Sequence, residues 1–118
     1  LVAISTNGEV LWEYVQRAAF STATLTTGGG LVFIADSDRY IRAHDVKTGE
    51  VLWQTRVQTG GQGFPMSYSA GGQQFVAIPV GVGAALPGSR AALLTPEVKR
   101  PNTGNALMVF ALPDDQER

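Results

Sequence analysis

Few residues of this chain have the types and spacing that chemistry requires. His44 is the only histidine among 118 residues and cysteine is absent, which excludes disulfides, cysteine-based zinc sites and thiol catalysis. Asp36 and Asp38 form a close acidic pair, but aspartates at this spacing cap a turn more often than they hold a metal ion. No nucleophile stands near a base, and we expect His44 to be a surface residue. The sequence therefore predicts neither a catalytic residue nor a metal ligand in this chain.

These residues lie in a chain that contains a repeated element, since the string Gly-Glu-Val-Leu-Trp occurs twice. It spans residues 8–12 and recurs, about 40 residues later, at 49–53. In each copy a turn that contains glycine precedes a strand that carries tryptophan, and Asn7-Gly8 is a strong signal for a two-residue hairpin. One such signature in each period of about 40 residues is typical of β-propeller blades.

Short apolar or alternating segments between turns predict strands along most of the chain. Leu31–Ala35 is continuously apolar, as expected for a strand that is buried on both faces. A single helical turn is expected near 91–94. The predicted strands are 1–5, 9–15, 24–27, 31–35, 40–43, 50–57, 65–69, 74–78 and 106–112.

These segments predict an all-β propeller fragment: about two blades of four-stranded antiparallel sheet, plus the outer half of a preceding blade. We expect residues 1–15 to be the outer strands of that preceding blade, and 16–57 to be a complete blade. Residues 58–118 then form a final blade that lacks its outermost strand and carries a long loop at 81–105. We expect the rest of a larger propeller to supply the missing strand and to cover the open edge.

The composition is that of an ordinary globular chain, with 44% hydrophobic and 16% charged residues. The formal net charge is −1 and the lysines and arginines are scattered, which argues against nucleic acid as a partner. No apolar run reaches the ~18 residues that a transmembrane helix needs. Composition therefore indicates a globular domain and leaves its function to the motifs.

One motif resembles the tryptophan-docking motif of the dehydrogenases that depend on pyrroloquinoline quinone (PQQ). Its residues are Ala43, Asp45, Thr48, Gly49 and Trp53. Trp12 ends a partial copy of the same motif. Further pieces follow in the order that the family shows, at 29–33, 38–45, 65–68, 72–78 and 104–113. The chain is thus similar to the C-terminal portion of a quinoprotein alcohol or glucose dehydrogenase, a family of eight-bladed propellers.

The resemblance implies an activity for the parent protein. Members of the family hold PQQ and a Ca²⁺ or lanthanide ion over the central channel and oxidise an alcohol or sugar hydroxyl by hydride transfer. Electrons then pass to an external acceptor, a quinone or a cytochrome. The resemblance also implies a periplasmic location, with an inner-membrane anchor outside this chain as an open alternative. The family's catalytic and metal-binding residues lie upstream, so we expect this fragment alone to be inactive.

Alternating strand direction assigns the loops of a propeller to two faces. One face should carry 17–23, 36–38, 58–64 and 81–105, and the other the turns at 28–30 and 46–49. The resemblance places the cofactor on the first face, where glycine would let the backbone approach a flat ring. The candidate cofactor-binding residues are Gly61, Gln62, Gly81, Val82 and Gly83. We expect Trp12 and Trp53 to pack between adjacent blades and Asp45 to cap its turn.

Three alternatives stay open on the sequence alone. Glycine-rich connections between blades can be plain turns without a ligand. PQQ-like repeats also occur in propellers that bind no cofactor and act as protein-binding scaffolds of the outer-membrane assembly type, and blade signatures do not separate the two classes. The fragment could also be a half-propeller that oligomerises.

Overall fold

Antiparallel strands account for most of the regular structure in the computed structural model, which describes residues 1–86 and 88–112. The strands are β1 (Val2–Ile4), β2 (Val10–Glu13), β3 (Leu25–Thr26), β4 (Leu31–Ala35), β5 (Tyr40–Asp45), β6 (Val51–Arg56), β7 (Met66–Ala70), β8 (Gln73–Val80) and β9 (Ala106–Ala111). Two short helical segments lie in the long loop, a 3-10 turn at Val82–Ala85 and helix α1 at Arg90–Leu94. The acidic tail at 113–118 lies outside the described residues.

The strands form three sheets, and within each sheet neighbouring strands are consecutive in the chain. β1 pairs with β2, β3 to β6 make a four-stranded sheet, and β7 to β9 make a three-stranded one. The first sheet is a hairpin and the other two are antiparallel meanders, the arrangement of a propeller blade. The prediction of an all-β propeller fragment is confirmed, whereas the residues at which one blade gives way to the next stay a prediction.

The face of the four-stranded sheet that meets β8 is apolar. Phe33 and Ala35 of β4 pack with Ile41 and Ala43 of β5 in the main hydrophobic cluster. The β8 side of that cluster consists of Val76, Ile78 and Val80. Ile41 and Ile78 are fully buried at its centre, so burial of apolar surface holds these two sheets together.

The opposite face of the same sheet is mixed: it carries the buried Val32 and Ile34 beside the polar Arg42, and it meets the residues that follow β2. Arg42 of β5 forms an ion pair with Asp36, with 2.5 Å between Nη1 and Oδ2. Gln16 bonds to both partners, since its Nε2 donates to Asp36 at 3.0 Å and its Oε1 accepts from Arg42 at 3.0 Å. The sheet therefore packs through apolar residues alone on one side, and through a mixture of apolar residues and a buried polar network on the other.

His44 lies inside the protein, so the expectation of a surface residue was wrong. Its side chain is fully buried and its Nδ1 is 2.9 Å from the main-chain oxygen of Gly49. The ring lies edge-on to Tyr14, with 4.7 Å between centroids, and parallel to Trp12 at 6.5 Å. Alternation along β5 does separate His44 from Ala43, but aromatic residues of and after β2, rather than solvent, cover that face.

Candidate cofactor site

Segments from different parts of the chain meet on one face through main-chain hydrogen bonds. The N–H of Ser37 donates to the oxygen of Ala19 at 2.9 Å. The N–H of Gly61 donates to the oxygen of Asp36 at 3.0 Å, and the N–H of Gly81 to that of Gly60 at 2.9 Å. Four loops that the sequence assigned to one face, around 19, 37, 60 and 81, thus lie side by side.

The turns assigned to the other face also meet each other. The N–H of Val46 donates to the oxygen of Gly30 at 2.9 Å. Within its own turn, Oδ1 of Asp45 accepts from the N–H groups of Lys47 at 2.7 Å and Thr48 at 3.0 Å. These two hydrogen bonds, that of Lys47 first, hold the pKa of the Asp45 carboxyl below its usual value.

Gly61 is buried against the neighbouring sheet, which gives it a packing reason to be glycine. A Cβ at this position would overlap Cβ of Ala35 and lie 2.8 Å from Cγ2 of Thr22. The glycine therefore allows the 58–64 connection to lie flat against the end of β4. This close approach is to protein atoms, and contact between Gly61 and a cofactor stays a prediction.

The side chain of Gln62 spans the gap between the two glycine loops. Its Oε1 accepts from the N–H of Gly83 at 3.2 Å. A Cβ at Gly83 would lie only 3.1 Å from this oxygen, and a Cβ at Gly81 would lie 3.1 Å from Oδ1 of Asn105. That Asn105 oxygen accepts from the N–H of Val82 at 3.1 Å. We call the resulting cluster the glycine seam; it comprises Gly61, Gln62, Gly81, Val82 and Gly83.

Two residues that sequence reasoning missed hold the ends of the long loop onto the seam. Nε2 of Gln58 donates to the oxygen of Gly104 at 3.1 Å. Thr59 is buried, with its Oγ1 3.2 Å from the oxygen of Pro101 and 3.4 Å from that of Gly81. The only sequence signal for them is their position just before Gly60, because polar residues in a connection do not reveal which carbonyls they bind.

A further tie joins the long loop to the connection after β2. Arg17 and Glu97 form an exposed ion pair, with 2.6 Å between Nε and Oε1. Nη2 of Arg17 also donates to the oxygen of Leu94, at the end of α1, at 2.9 Å. The N–H of Glu97 itself and then Arg17 lower the pKa of this carboxyl.

Neither helical segment in the described part of the chain is long and apolar enough to cross a membrane.

The two tryptophans of the repeated Gly-Glu-Val-Leu-Trp string each contact the next sheet. Nε1 of Trp12 donates to the oxygen of Val46 at 2.9 Å. The ring of Trp53 lies edge-on to Phe110 of β9, with 5.2 Å between centroids. Of the other residues that the sequence predicted for a docking motif, Ala43 is buried in the apolar cluster and Thr48 accepts a hydrogen bond from the N–H of Glu50 at 3.3 Å.

A family model described as the β-propeller domain of glucose, ethanol and alcohol dehydrogenases, under the heading PQQ, matches residues 5–76. This match covers β2 to β7 and the first residues of β8, including residues 43–53. The chain belongs to the PQQ dehydrogenase β-propeller family.

Individual relatives agree with this assignment. The methanol dehydrogenase (cytochrome c) subunit 1 of Methylobacterium organophilum is 43% identical over 76 residues, 64% of this chain and 12% of that protein. The quinoprotein ethanol dehydrogenase of Pseudomonas putida is 36% identical over 110 residues, 92% of this chain and 17% of that protein. A europium-containing methanol dehydrogenase superposes with a TM-score of 0.76 at 29% identity, covering 90% of this chain and 22% of that one.

The chain is short beside these PQQ dehydrogenase relatives. It spans 12% to 18% of the length of the first curated relatives that it matches. The family assignment therefore describes the blades of this chain, while the activity, substrate and partners of a whole protein are matters for proposal.

The metal of PQQ dehydrogenases does not fit the residues present here. Among residues 1–86 and 88–112, no three His, Asp or Glu side chains come together as a metal site would require. The acidic pair of the seam face is already engaged, because Asp36 pairs with Arg42, and Asp38 pairs with Arg56 at 2.8 Å. No step that uses a metal ion can therefore be assigned to the described residues.

Proposed function

We propose that this chain is part of a quinoprotein dehydrogenase that oxidises an alcohol or sugar hydroxyl. The observation that carries the proposal is the glycine seam: a chain of this family brings Gly61, Gln62 and the 81–83 loop together on one face. Relatives at 43% and 36% identity are named methanol and ethanol dehydrogenases, which favours a small alcohol over a sugar.

The seam offers glycine backbone and one amide donor to the edge of a flat quinone. Oε1 of Gln62 is occupied by the N–H of Gly83, whereas its Nε2 has no hydrogen-bond partner among the described residues, so one amide donor is available for a carbonyl or carboxylate oxygen. A side chain at Gly81 or Gly83 would crowd this carboxamide. PQQ, when bound, would supply the hydride acceptor. The seam residues would orient it and exclude water, and residues of the upstream blades, outside this chain, would hold Ca²⁺ or a lanthanide.

The partners follow from the same proposal. We propose that the rest of a propeller completes the ring and that electrons leave to a cytochrome or a quinone, since one relative carries cytochrome c in its name. A periplasmic location is part of the proposal. Osmotic-shock fractionation of cells that express the full-length protein would test it, with release in the shock fluid as the expected result.

Quinone binding and dye reduction test the function directly. The full-length protein is prepared without cofactor and titrated with PQQ in the presence of Ca²⁺ or La³⁺, and dye reduction is followed with C1 to C4 alcohols and with sugars. We expect saturable binding and reduction with at least one alcohol. An absence of both binding and reduction would refute the proposal and favour the scaffold alternative.

Gln62→Leu links the activity to the seam. We expect PQQ affinity to fall about tenfold, the effect of one lost hydrogen bond of ~1.4 kcal/mol. Gln74→Leu is the matched control. Gln74 lies near the start of β8, at the end away from Gly81, and its Nε2 donates to Oγ of Ser67 at 2.8 Å. Equal affinities of the two variants would remove Gln62 from the site.

A further inference from the structure

Asp36 is a buried carboxylate that uses both oxygens in hydrogen bonds. Its side chain is 1% exposed. Oδ1 accepts from the N–H groups of Asp38 at 2.9 Å and Tyr40 at 3.0 Å. Oδ2 accepts from Arg42 at 2.5 Å and from Gln16 at 3.0 Å. A turn cap needs only the first two of these bonds, so the side chain is held more firmly than capping requires.

The turn that Asp36 holds contains an unfavourable backbone conformation. Arg39 has a φ of 73°, the left-handed region that residues with a side chain rarely adopt. The two N–H groups that bond to Oδ1 of Asp36 belong to the residues on either side of Arg39. The carboxylate therefore fixes the turn where its backbone would otherwise relax.

The main-chain oxygen of this same residue supports the glycine seam. It accepts from the N–H of Gly61 at 3.0 Å. The oxygen of Gly60 accepts in turn from the N–H of Gly81 at 2.9 Å, and the N–H of Gln62 donates to the oxygen of Pro79 at 2.9 Å. A continuous path of hydrogen bonds thus runs from the Asp36 turn through the 60–62 segment to the 81–83 loop.

We propose that Asp36 is the positioning residue of the glycine seam: its side chain fixes the 36–40 turn so that its carbonyl oxygen holds Gly61 in place for the ligand. Asp36 acts through Gly61 and does not itself touch the ligand. The inference rests on the proposed function for the nature of that ligand, but its structural part concerns the order of the seam alone.

The test compares two aspartates that cap turns on opposite faces. Asp36→Ala and Asp45→Ala are made in the full-length protein, because Asp45 also accepts two main-chain N–H groups but lies away from the seam. Hydrogen exchange is measured on peptides that cover 58–64, and PQQ binding is titrated. We expect Asp36→Ala to speed exchange in 58–64 and to weaken PQQ binding, each about tenfold. Asp45→Ala should leave both unchanged.

Each result of this comparison either supports or overturns the positioning role of Asp36. Unchanged exchange in 58–64 in Asp36→Ala, or equal changes in both variants, would overturn the positioning role, because the latter would mean general loosening. If Asp36→Ala does not fold, Asp36→Asn decides, since it keeps the acceptor for the turn but loses the charge opposite Arg42. It should exchange about threefold faster in 58–64 than Asp45→Asn, and equal rates would overturn the role. If the unmodified protein binds no PQQ, the proposed function fails while the exchange comparison still stands.

Discussion

The indole ring of Trp12 lies directly on the backbone of Gly49 in the neighbouring sheet. A Cβ on Gly49 would be 2.6 Å from Cδ2 of that ring, and the φ of Gly49 is 76°. Two independent requirements, a left-handed turn and room for a flat ring, therefore select glycine at the same position. The repeated Gly-Glu-Val-Leu-Trp string joins sheets because each copy places its glycine in the turn and its tryptophan on the following strand.

Gly49→Ala should destabilise the protein more than the corresponding change in the other copy of the string. We expect a loss of about 2 to 4 kcal/mol, because left-handed strain adds to overlap with Trp12. Gly8→Ala is the control, since Gly8 has a φ of 85° but nothing within 4 Å of an added Cβ, and should cost about 1 kcal/mol. Urea unfolding measures both, and equal losses would show that the Trp12 contact contributes nothing.

Gly61→Ala should displace the 58–64 connection. The added methyl would overlap Ala35, so we expect a loss of about 1 to 3 kcal/mol in stability and weaker PQQ binding. Gly60→Ala is the matched control, because its added Cβ would be at ordinary contact distance, 3.5 Å, from Cα of Ser37. Thermal unfolding and quinone titration measure the pair. If Gly61→Ala binds PQQ like the control, the seam does not depend on this close packing.

Arg39→Gly should stabilise the protein by about 0.5 to 1 kcal/mol. Glycine removes the left-handed strain at φ 73°, and the gain exceeds the extra entropy that glycine loses on folding. It also removes Nε of Arg39, which is buried without a hydrogen-bond partner among the described residues. Arg39→Ala separates the two effects, since it deletes the guanidinium but keeps the strain. A higher urea midpoint for Arg39→Ala than for Arg39→Gly would contradict the strain argument.

Asp45 should contribute to stability in a pH-dependent way. Its folded-state pKa lies below the usual value of 3.8, because the N–H groups of Lys47 and Thr48 favour the carboxylate. The contribution is therefore fully present above about pH 4 and is lost as pH falls through the lowered folded-state pKa. Asp45→Asn does not titrate, so the difference in melting temperature between the parent and this variant should shrink on acidification below about pH 4. A constant difference from pH 7 to 3 would contradict this.

Strands, turns and the assignment of loops to faces could be predicted because they depend on local chemistry. Alternation along Tyr40–Asp45 and the glycine-containing turn around Gly49 are set by residues close in sequence. The two glycine loops of the seam follow from the same assignment of faces together with the family resemblance, which places the cofactor on that face. These features needed no knowledge of which sheet packs on which.

Burial on the outer faces of the strands could not be predicted, because it depends on the neighbouring sheet. His44 looks like an exposed polar residue until Tyr14 and Trp12 are brought over it by the preceding sheet. Likewise the Asp36–Arg42 ion pair joins two polar residues that a sequence offers equally to solvent. Gln58 and Thr59 bind carbonyls more than forty positions away, a pairing that only the folded loop decides.

Because the two faces of the four-stranded sheet differ, this blade fits between its neighbours in the propeller in only one orientation. A blade inserted back to front would set Arg42 against the apolar Val76 and Ile78 and leave the Phe33 side facing Gln16. Such a blade would bury an unpaired charge, a cost of several kcal/mol that selects one orientation. Blades exchanged between propellers of this family should therefore be accepted only when the neighbours supply apolar side chains on the Phe33 side and a polar partner for Arg42 on the other.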